Sequence, residues 1–144
     1  MVTPGSHPGP TSVALPVAIR EAMVEHARAE YPNEMCGVIV GDRDAAAGGQ
    51  ALRWEPARNA EASPMRYVVH PEDLLRLTIE TDDADEVFWA IAHSHVRSPA
   101  VPSPTDIGAA QYPGALYILV SLSDDEVRAW RIVDGVSHEV GING

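Results

Sequence analysis

Hydrophobic and polar positions along the chain follow helical spacing in some segments and extended spacing in others. Apolar residues between 16 and 30 recur every three to four positions, which predicts an amphipathic helix beginning near Pro16. Two further helices are predicted, over 70–80 and over 104–111. Short apolar runs predict three buried strands, over 36–40, 87–92 and 115–122.

The remaining extended segments lie beside turn signals. Residues 51–55 follow a Gly- and Ala-rich turn and are predicted to form the hairpin partner of the strand over 36–40. Residues 67–69 predict a short strand before the second helix. Asp134-Gly135, between the strands predicted over 126–133 and 136–140, is typical of a two-residue hairpin. Because strands and helices interleave with several hairpins, we predict an α/β domain with a mixed β-sheet flanked by helices.

A single domain accounts for the chain of 144 residues, because no repeat or linker divides it. Residues 1–14 include a Gly- and Pro-rich start without the apolar core of a signal peptide. We expect them to be a disordered leader, with the domain over 15–144. No apolar run reaches transmembrane length. Cys36 is the single cysteine, so an intramolecular disulfide is excluded and a reducing, cytoplasmic location is expected.

The composition is acidic, with 21 Asp and Glu residues against 10 basic residues, all of them Arg, and a net charge of -11. This charge disfavours nucleic acid and anionic membranes as partners. It leaves a small substrate, or a protein that docks on a local group of arginines such as Arg53, Arg58, Arg66 and Arg97.

Two histidines separated by one residue, His93 and His95, follow the apolar run 87–92. Residues i and i+2 of a strand project to the same face, so both imidazoles can point at one spot. Asp106, after the next loop, can bring a carboxylate to that spot. Two histidines, a carboxylate and an open fourth position make a catalytic zinc site.

Structural roles for the same residues stay open at this point. A histidine pair can simply pack or cap. Ser103-Pro104-Thr105-Asp106 is also a helix start, with Ser103 as the N-cap and Asp106 at the third helical position. The helix start is compatible with a metal site, because it is a rigid place from which to aim a carboxylate.

Glu34 is a candidate proton acceptor for a zinc-bound water, because it lies at the entrance of the strand predicted over 36–40. Partial desolvation there would raise the pKa of its carboxyl group and suit proton transfer. The alternative is an exposed glutamate beyond the end of the first helix, which is the commoner environment of glutamate.

The combined pattern of Glu34, His93-x-His95, seven further residues and then Ser103-x-x-Asp106 resembles the signature of the JAMM (MPN+) zinc metalloproteases. The resemblance covers roughly residues 15–140. It implies a cytidine-deaminase-like fold in which His93, His95 and Asp106 bind Zn²⁺. It further implies that Glu34 activates the zinc-bound water and that Ser103 helps to hold the tetrahedral intermediate.

Other positions also resemble the family, namely the segments 32–37, 66–75 and 117–121, together with Asn59. One departure is Val96, where many members have Pro after the second histidine. The short bacterial Mec-type branch, which trims ubiquitin-like sulfur carriers, tolerates this departure and resembles the chain most.

The resemblance implies a peptidase that hydrolyses the bond after the C-terminal Gly-Gly of a ubiquitin-like sulfur carrier. The released amino acid is expected to be cysteine, in sulfur-transfer biosynthesis. A Gly-Gly tail is thin and extended, so it can bind by strand addition, although the sequence does not indicate which sheet edge receives it. The alternatives are an isopeptidase-type enzyme on another ubiquitin-like substrate and a metal-binding scaffold of the same fold. A homodimer is left open. A zinc deaminase would need a Pro-Cys-x-x-Cys motif that the chain lacks.

Overall fold

The computed structural model describes residues 9–144. Within them, seven strands form one sheet with the order β1-β7-β6-β5-β4-β2-β3. The pairs β1/β7 and β4/β5 are parallel and the other pairs are antiparallel, so the predicted mixed sheet is confirmed. In chain order the elements are β1 Ser12–Ala14, α1 Val17–Glu30, β2 Cys36–Gly41, a 3₁₀ turn Ala45–Ala47, β3 Ala51–Ala57, α2 Pro71–Asp83, β4 Val87–His95, α3 Pro104–Ala109, β5 Leu116–Ser121, β6 Glu126–Val133 and β7 Val136–Asn143.

Helices cover both faces of the sheet, which explains the continuous apolar runs of its central strands. Every residue of β2 and β5 is buried, as expected of strands covered on both sides. On one face, α1 contributes Ile19, Met23 and Ala27, spaced four apart, to the main core. On the other face, Leu77 of α2 packs with buried residues of β2. No helix within residues 9–144 is long and apolar enough to cross a membrane.

The sheet begins earlier than the sequence indicates. β1 falls inside the segment 1–14 expected to be a disordered leader, and this part of the expectation is wrong. Its three residues pair with the end of β7, with Val13 opposite Ile142. The same pairing extends β7 to Asn143, beyond the predicted end at residue 140. Residues 1–8 of the expected leader lie outside the described residues.

Other element boundaries also differ from the predicted ones. Residues 67–69 do not form a strand; an isolated bridge joins Val69 to Asn59. Helix α2 continues to Asp83, because Thr81 is buried and its hydroxyl donates to the carbonyl of Leu77. The hairpin at Asp134-Gly135 is confirmed: both residues have positive φ, at 52° and 75°, as the two-residue turn requires.

The register of β4 determines where the chemistry lies. β4 runs antiparallel to β2, with His93 opposite Cys36, and parallel to β5, with His95 opposite Ser121. In an antiparallel pair the end of one strand lies beside the start of the other. The end of β4 therefore lies beside the start of β2. Glu34, two residues before β2, is therefore brought next to the histidines that end β4.

Two leucines on α2 give a matched test of the packing on this face. Leu77 is 1% exposed and Leu75 is 62% exposed. We expect Leu77→Ala to lower the free energy of unfolding by about 2–5 kcal/mol, because it removes buried apolar surface and leaves a cavity. Leu75→Ala should change it by less than about 0.5 kcal/mol. Urea denaturation of both variants measures the difference, and equal losses would contradict this packing of α2.

Candidate active site

The two histidines of β4 point to the same side of the sheet. His93 and His95 are 1% and 5% exposed, and their ring centroids are 5.1 Å apart. Ser94, between them, projects to the opposite face, where its hydroxyl accepts a hydrogen bond of 2.7 Å from the backbone N–H of Met35. The alternation predicted for His-x-His is thus present in β4, and the residue that precedes β2 holds Ser94 in place.

The carboxylate of Asp106 lies against both imidazoles. Its Oδ1 is 3.2 Å from Nε2 of His93, and its Oδ2 is 3.1 Å from Nε2 of His95. One ligand atom from each of the three residues lies within 4.8 Å of the other two. The structure therefore brings His93, His95 and Asp106 together in the way the sequence predicts for a metal site.

The unsatisfied nitrogens of His93 indicate that a cation fits this cluster. Among the described residues, neither ring nitrogen of this buried imidazole has a hydrogen-bond partner, although Nε2 lies 3.2 Å from Oδ1 of Asp106. Leaving such a group unpaired costs free energy. A cation between the three side chains would satisfy Nε2, and two imidazoles with one carboxylate form a donor set that suits Zn²⁺.

His95 is oriented through its other ring nitrogen. Nδ1 lies 2.8 Å from the carbonyl oxygen of Pro99, which can only accept, so Nδ1 carries a proton and Nε2 faces Asp106. This is the partner arrangement that commonly orients metal-binding histidines. Burial lowers the pKa of His95, but Asp106 and the Pro99 carbonyl outweigh it, and the net pKa is raised. Burial lowers the pKa of His93 despite the nearby carboxylate.

Asp106 is aimed by the first turn of α3. The predicted helix start is confirmed: the Ser103 hydroxyl accepts from the N–H of Asp106 at 3.1 Å, and Oδ2 of Asp106 accepts from the N–H of Ser103 at 2.9 Å. Burial would raise the pKa of Asp106, but the two histidines and the Ser103 N–H hold it far below its usual range. The carboxylate is therefore ionised and rigidly held.

Glu34 is buried beside the cluster, so its alternative interpretation as an exposed glutamate is wrong. Its side chain is 5% exposed. Burial raises the pKa of its carboxyl group to about 7; His95 opposes this shift and Asp106 adds to it. A carboxyl group with a pKa near neutrality can both accept and donate a proton, as the sequence analysis expects of Glu34.

Asn59 fixes the backbone around Glu34, a role that the sequence pattern did not reveal. Its amide group donates to the carbonyls of Glu34 and Arg66, at 3.1 and 3.0 Å. Its side-chain oxygen accepts from the N–H groups of Glu61 and Val68, both at 3.0 Å. The loop after β3 is thereby tied to the start of β2, and Asn59 is a positioning residue.

The contact of Tyr67 with the site was also not predicted from the sequence. Its ring stacks on the imidazole of His93, with centroids 4.2 Å apart and an angle of 20° between the planes. Burial raises the pKa of its hydroxyl group, so the ring acts as a neutral, apolar wall behind His93. The sequence pattern suggested a strand at Tyr67, and only the folded loop places it against the site.

A cleft of about 460 Å³ opens in front of the cluster. Glu34, His95, Ser103 and Asp106 lie along it, and Val96 forms part of its wall with 7% exposure. The other lining residues are Pro32, Pro64, Met65, Arg97 and Ser98. A larger cavity of about 610 Å³ lies beside α2 and touches none of the predicted site residues.

Cys36 and His70 have structural roles. Cys36 is buried, burial raises the pKa of its thiol to about 12, and the thiol lies 3.4 Å from the carbonyl oxygen of Arg58. A buried thiol with so high a pKa is inert as a nucleophile, so Cys36 is a packing residue. His70 caps α2 by accepting a hydrogen bond of 3.2 Å from the N–H of Glu72.

The chain is similar in sequence and in fold to known proteins. Residues 16–133 match the family model described as prokaryotic homologs of the JAB domain. The CysO-cysteine peptidase of Mycobacterium tuberculosis is 42% identical over 125 residues, which cover 85% of this chain and 84% of the relative. The desampylase of Haloferax volcanii is 32% identical over 114 residues, covering 76% and 80%.

Two further similarities extend the comparison. A Thermus thermophilus protein described as a probable TtuB-protein conjugate cleaving protease is 30% identical over 133 residues, covering 92% of this chain and 83% of the relative. The solution structure of a Desulfitobacterium hafniense protein superposes with a TM-score of 0.78 at 28% identity, covering 91% of each chain.

A mixed sheet carrying a His-His-Asp cluster beside a buried glutamate, together with these matches, defines the class of protein. The chain belongs to the prokaryotic JAB family, the JAMM/MPN-type domain. The predicted family and fold class are confirmed, and the enzyme class is that of the hydrolases of this family.

The cluster predicts a metal-binding stoichiometry that mutation can test. We expect one Zn²⁺ per chain in the wild-type protein, and loss of tight binding in His93→Ala and Asp106→Ala, because each variant removes a ligand. His70→Asn, which keeps a capping side chain on α2, should retain the metal. Elemental analysis of the purified proteins measures this, and equal zinc in the wild type and all three variants would refute the assigned ligands.

Proposed function

We propose that the protein is a zinc-dependent peptidase that hydrolyses the bond after the C-terminal Gly-Gly of a ubiquitin-like sulfur carrier. The released residue in this proposal is a single amino acid, cysteine. The observation that supports it best is the buried Glu34 carboxyl group, which lines the same cleft as His95 and Asp106 of the His93, His95 and Asp106 cluster. The 42% identity to a CysO-cysteine peptidase supports the substrate class.

In this proposal His93, His95 and Asp106 hold the zinc ion. When bound, zinc lowers the pKa of a water molecule to about 7 and polarises the scissile carbonyl group. Glu34 accepts a proton from the attacking water and passes it to the nitrogen of the leaving amine. Its pKa of about 7 suits both transfers.

Ser103 stabilises the negative oxygen that develops on the scissile carbon. Its hydroxyl oxygen accepts from the N–H of Asp106, and no acceptor takes its proton among residues 9–144. That proton is therefore available to an oxygen of the substrate. A donor fixed in this way at a helix start is suited to an oxyanion, because it does not have to reorganise during the reaction.

The shape of the cleft suits a tail without side chains. Pro32, Pro64 and the buried Val96 line it, and Met65, which is 83% exposed, offers a further apolar contact. Two glycines can lie closer to such walls than residues with a Cβ. The body of the carrier would then add weaker contacts outside the cleft.

An isopeptidase-type activity on protein conjugates is the alternative. It is favoured by the similarity to a desampylase and to a protein described as cleaving TtuB-protein conjugates. A scaffold without activity is less well supported, because Glu34 and all three candidate ligands are present and brought together. A cytoplasmic location, which suits the single thiol at Cys36, and a homodimer remain proposals.

Substitution of Glu34 separates proton transfer from metal binding. We expect Glu34→Gln to keep the zinc and to lower turnover by at least about 100-fold, the usual scale for a lost general base. Glu61→Gln, in the loop after β3, removes an exposed carboxylate and is the matched control. Initial rates and zinc content are measured together. Unchanged turnover in Glu34→Gln would remove Glu34 from the mechanism.

A substrate panel tests the proposed reaction. We expect cleavage of carriers ending in Gly-Gly-Cys or Gly-Gly-Phe, with release of one residue seen by intact-mass measurement, and no change in a carrier that ends in Gly-Gly. Cys36→Ser should remain active, because the thiol is buried and takes no part. Cleavage of a generic dipeptide with equal efficiency would indicate a general peptidase. Inactivity on both adducts with zinc bound would reject the proposed function.

A further inference from the structure

We propose that Arg97 binds the free α-carboxylate of the residue that the enzyme releases, and so selects C-terminal amino acid adducts over isopeptide conjugates. This inference rests on the proposed function and adds the specificity of the leaving-group side of the cleft. It follows from the position of Arg97, the anchoring of its turn and the charges around it.

Arg97 carries the one permanent positive charge among the described residues that line the cleft. The same cleft carries the acidic side chains of Glu34 and Asp106, in a chain with a net charge of -11. A substrate ending one residue beyond the scissile bond brings a carboxylate into these surroundings. The zinc ion of the proposed function is engaged by its three ligands and by the scissile carbonyl group, so Arg97 is the cation that remains for this carboxylate.

The guanidinium group of Arg97 is available for a ligand. Within residues 9–144 no ion pair or hydrogen bond engages it, and the residue is exposed. By contrast Arg53 and Arg58, two arginines considered for partner docking, are held by Glu86 and Asp73, at 2.8 and 3.1 Å. A free guanidinium can bind a carboxylate through two parallel hydrogen bonds, a geometry that other side chains do not offer.

The turn that carries Arg97 is fixed to the catalytic cluster. Nδ1 of His95 donates to the carbonyl of Pro99 at 2.8 Å, and the Ser121 hydroxyl donates to the carbonyl of Ser98 at 2.8 Å. Val96, on the other side of Arg97, is 7% exposed. The backbone of Arg97 is therefore held two residues from His95, and the residue lines the cleft.

The position of Arg97, two residues after His95 in the chain, suits a substrate with one residue after the scissile bond. A single residue spans at most about 3.6 Å, so its carboxylate lies close to the metal ligands, within reach of a side chain that starts two residues from His95. An isopeptide-linked lysine has no carboxylate at that distance, because its side chain separates the scissile nitrogen from the backbone. Arg97 would consequently distinguish the two substrate types.

The experiment compares three substrates built on one carrier. The first ends in Gly-Gly-Cys as a free acid, the second has the same end as a C-terminal amide, and the third has Gly-Gly joined to the side chain of a lysine with both backbone ends blocked. For the wild-type enzyme we expect kcat/KM to be at least about tenfold higher on the acid than on the amide or the isopeptide, as a charge-assisted bidentate pair supplies.

In Arg97→Gln the ratio of kcat/KM on the acid to that on the amide should fall close to one, mainly through a higher KM on the acid. Arg43→Gln, with the same charge change beyond the far end of β2, should keep the wild-type ratio. Zinc content and circular dichroism verify that both variants are folded and loaded. A wild-type ratio in Arg97→Gln, or no preference in the wild-type enzyme, would overturn the role of Arg97 while leaving the peptidase activity established. Cleavage of none of the three substrates would overturn the proposed function and this inference together.

Discussion

The antiparallel register between β2 and β4 is the constraint on which the rest of the site depends. It places Cys36 opposite His93, and Glu34 therefore approaches from the start of one strand while the histidines end its neighbour. Backbone hydrogen bonds enforce this arrangement, and a slip of one residue would turn both histidines to the opposite face. Both strands are packed on both faces, so such a slip would replace well-fitted side-chain contacts by clashes and cavities and is strongly opposed.

The free-energy cost of this arrangement lies mainly in the buried ionisable groups of the cluster. His93 is fully enclosed, Glu34 is 5% exposed and the side chain of Asp106 is 11% exposed. Burying ionisable groups without full compensation is unfavourable, and a cation between the three side chains would offset much of the penalty. Hydrogen bonds also hold the buried groups in position. Asn59 fixes the backbone at Glu34, and the helix start at Ser103 fixes Asp106. The carbonyl of Pro99 orients His95. The candidate catalytic and metal-binding side chains are thus held in position by hydrogen bonds from neighbouring groups.

Much of the fold and of the candidate site could be predicted because both follow from local spacing. The apolar run before His93 and His95 identified β4, and the residue types of Ser103-Pro104-Thr105-Asp106 identified a helix start after it. The long-range contacts were not predictable in this way. The pairing of β1 with β7 joins residues more than a hundred positions apart, Ser12 and Gly141 among them, and no local pattern signals it. The hydrogen bonds of Asn59 and the stacking of Tyr67 on His93 depend on a loop whose path only the fold decides.

The central claim is that one metal ion lies between the ends of β4 and the start of α3, beside the buried Glu34. Anomalous diffraction at the zinc absorption edge, from crystals of zinc-loaded protein, tests it most directly. We predict one strong peak within about 2.0–2.2 Å of Nε2 of His93, Nε2 of His95 and a carboxylate oxygen of Asp106. A peak coordinated by Cys36 or by surface carboxylates, with none at this cluster, would contradict it.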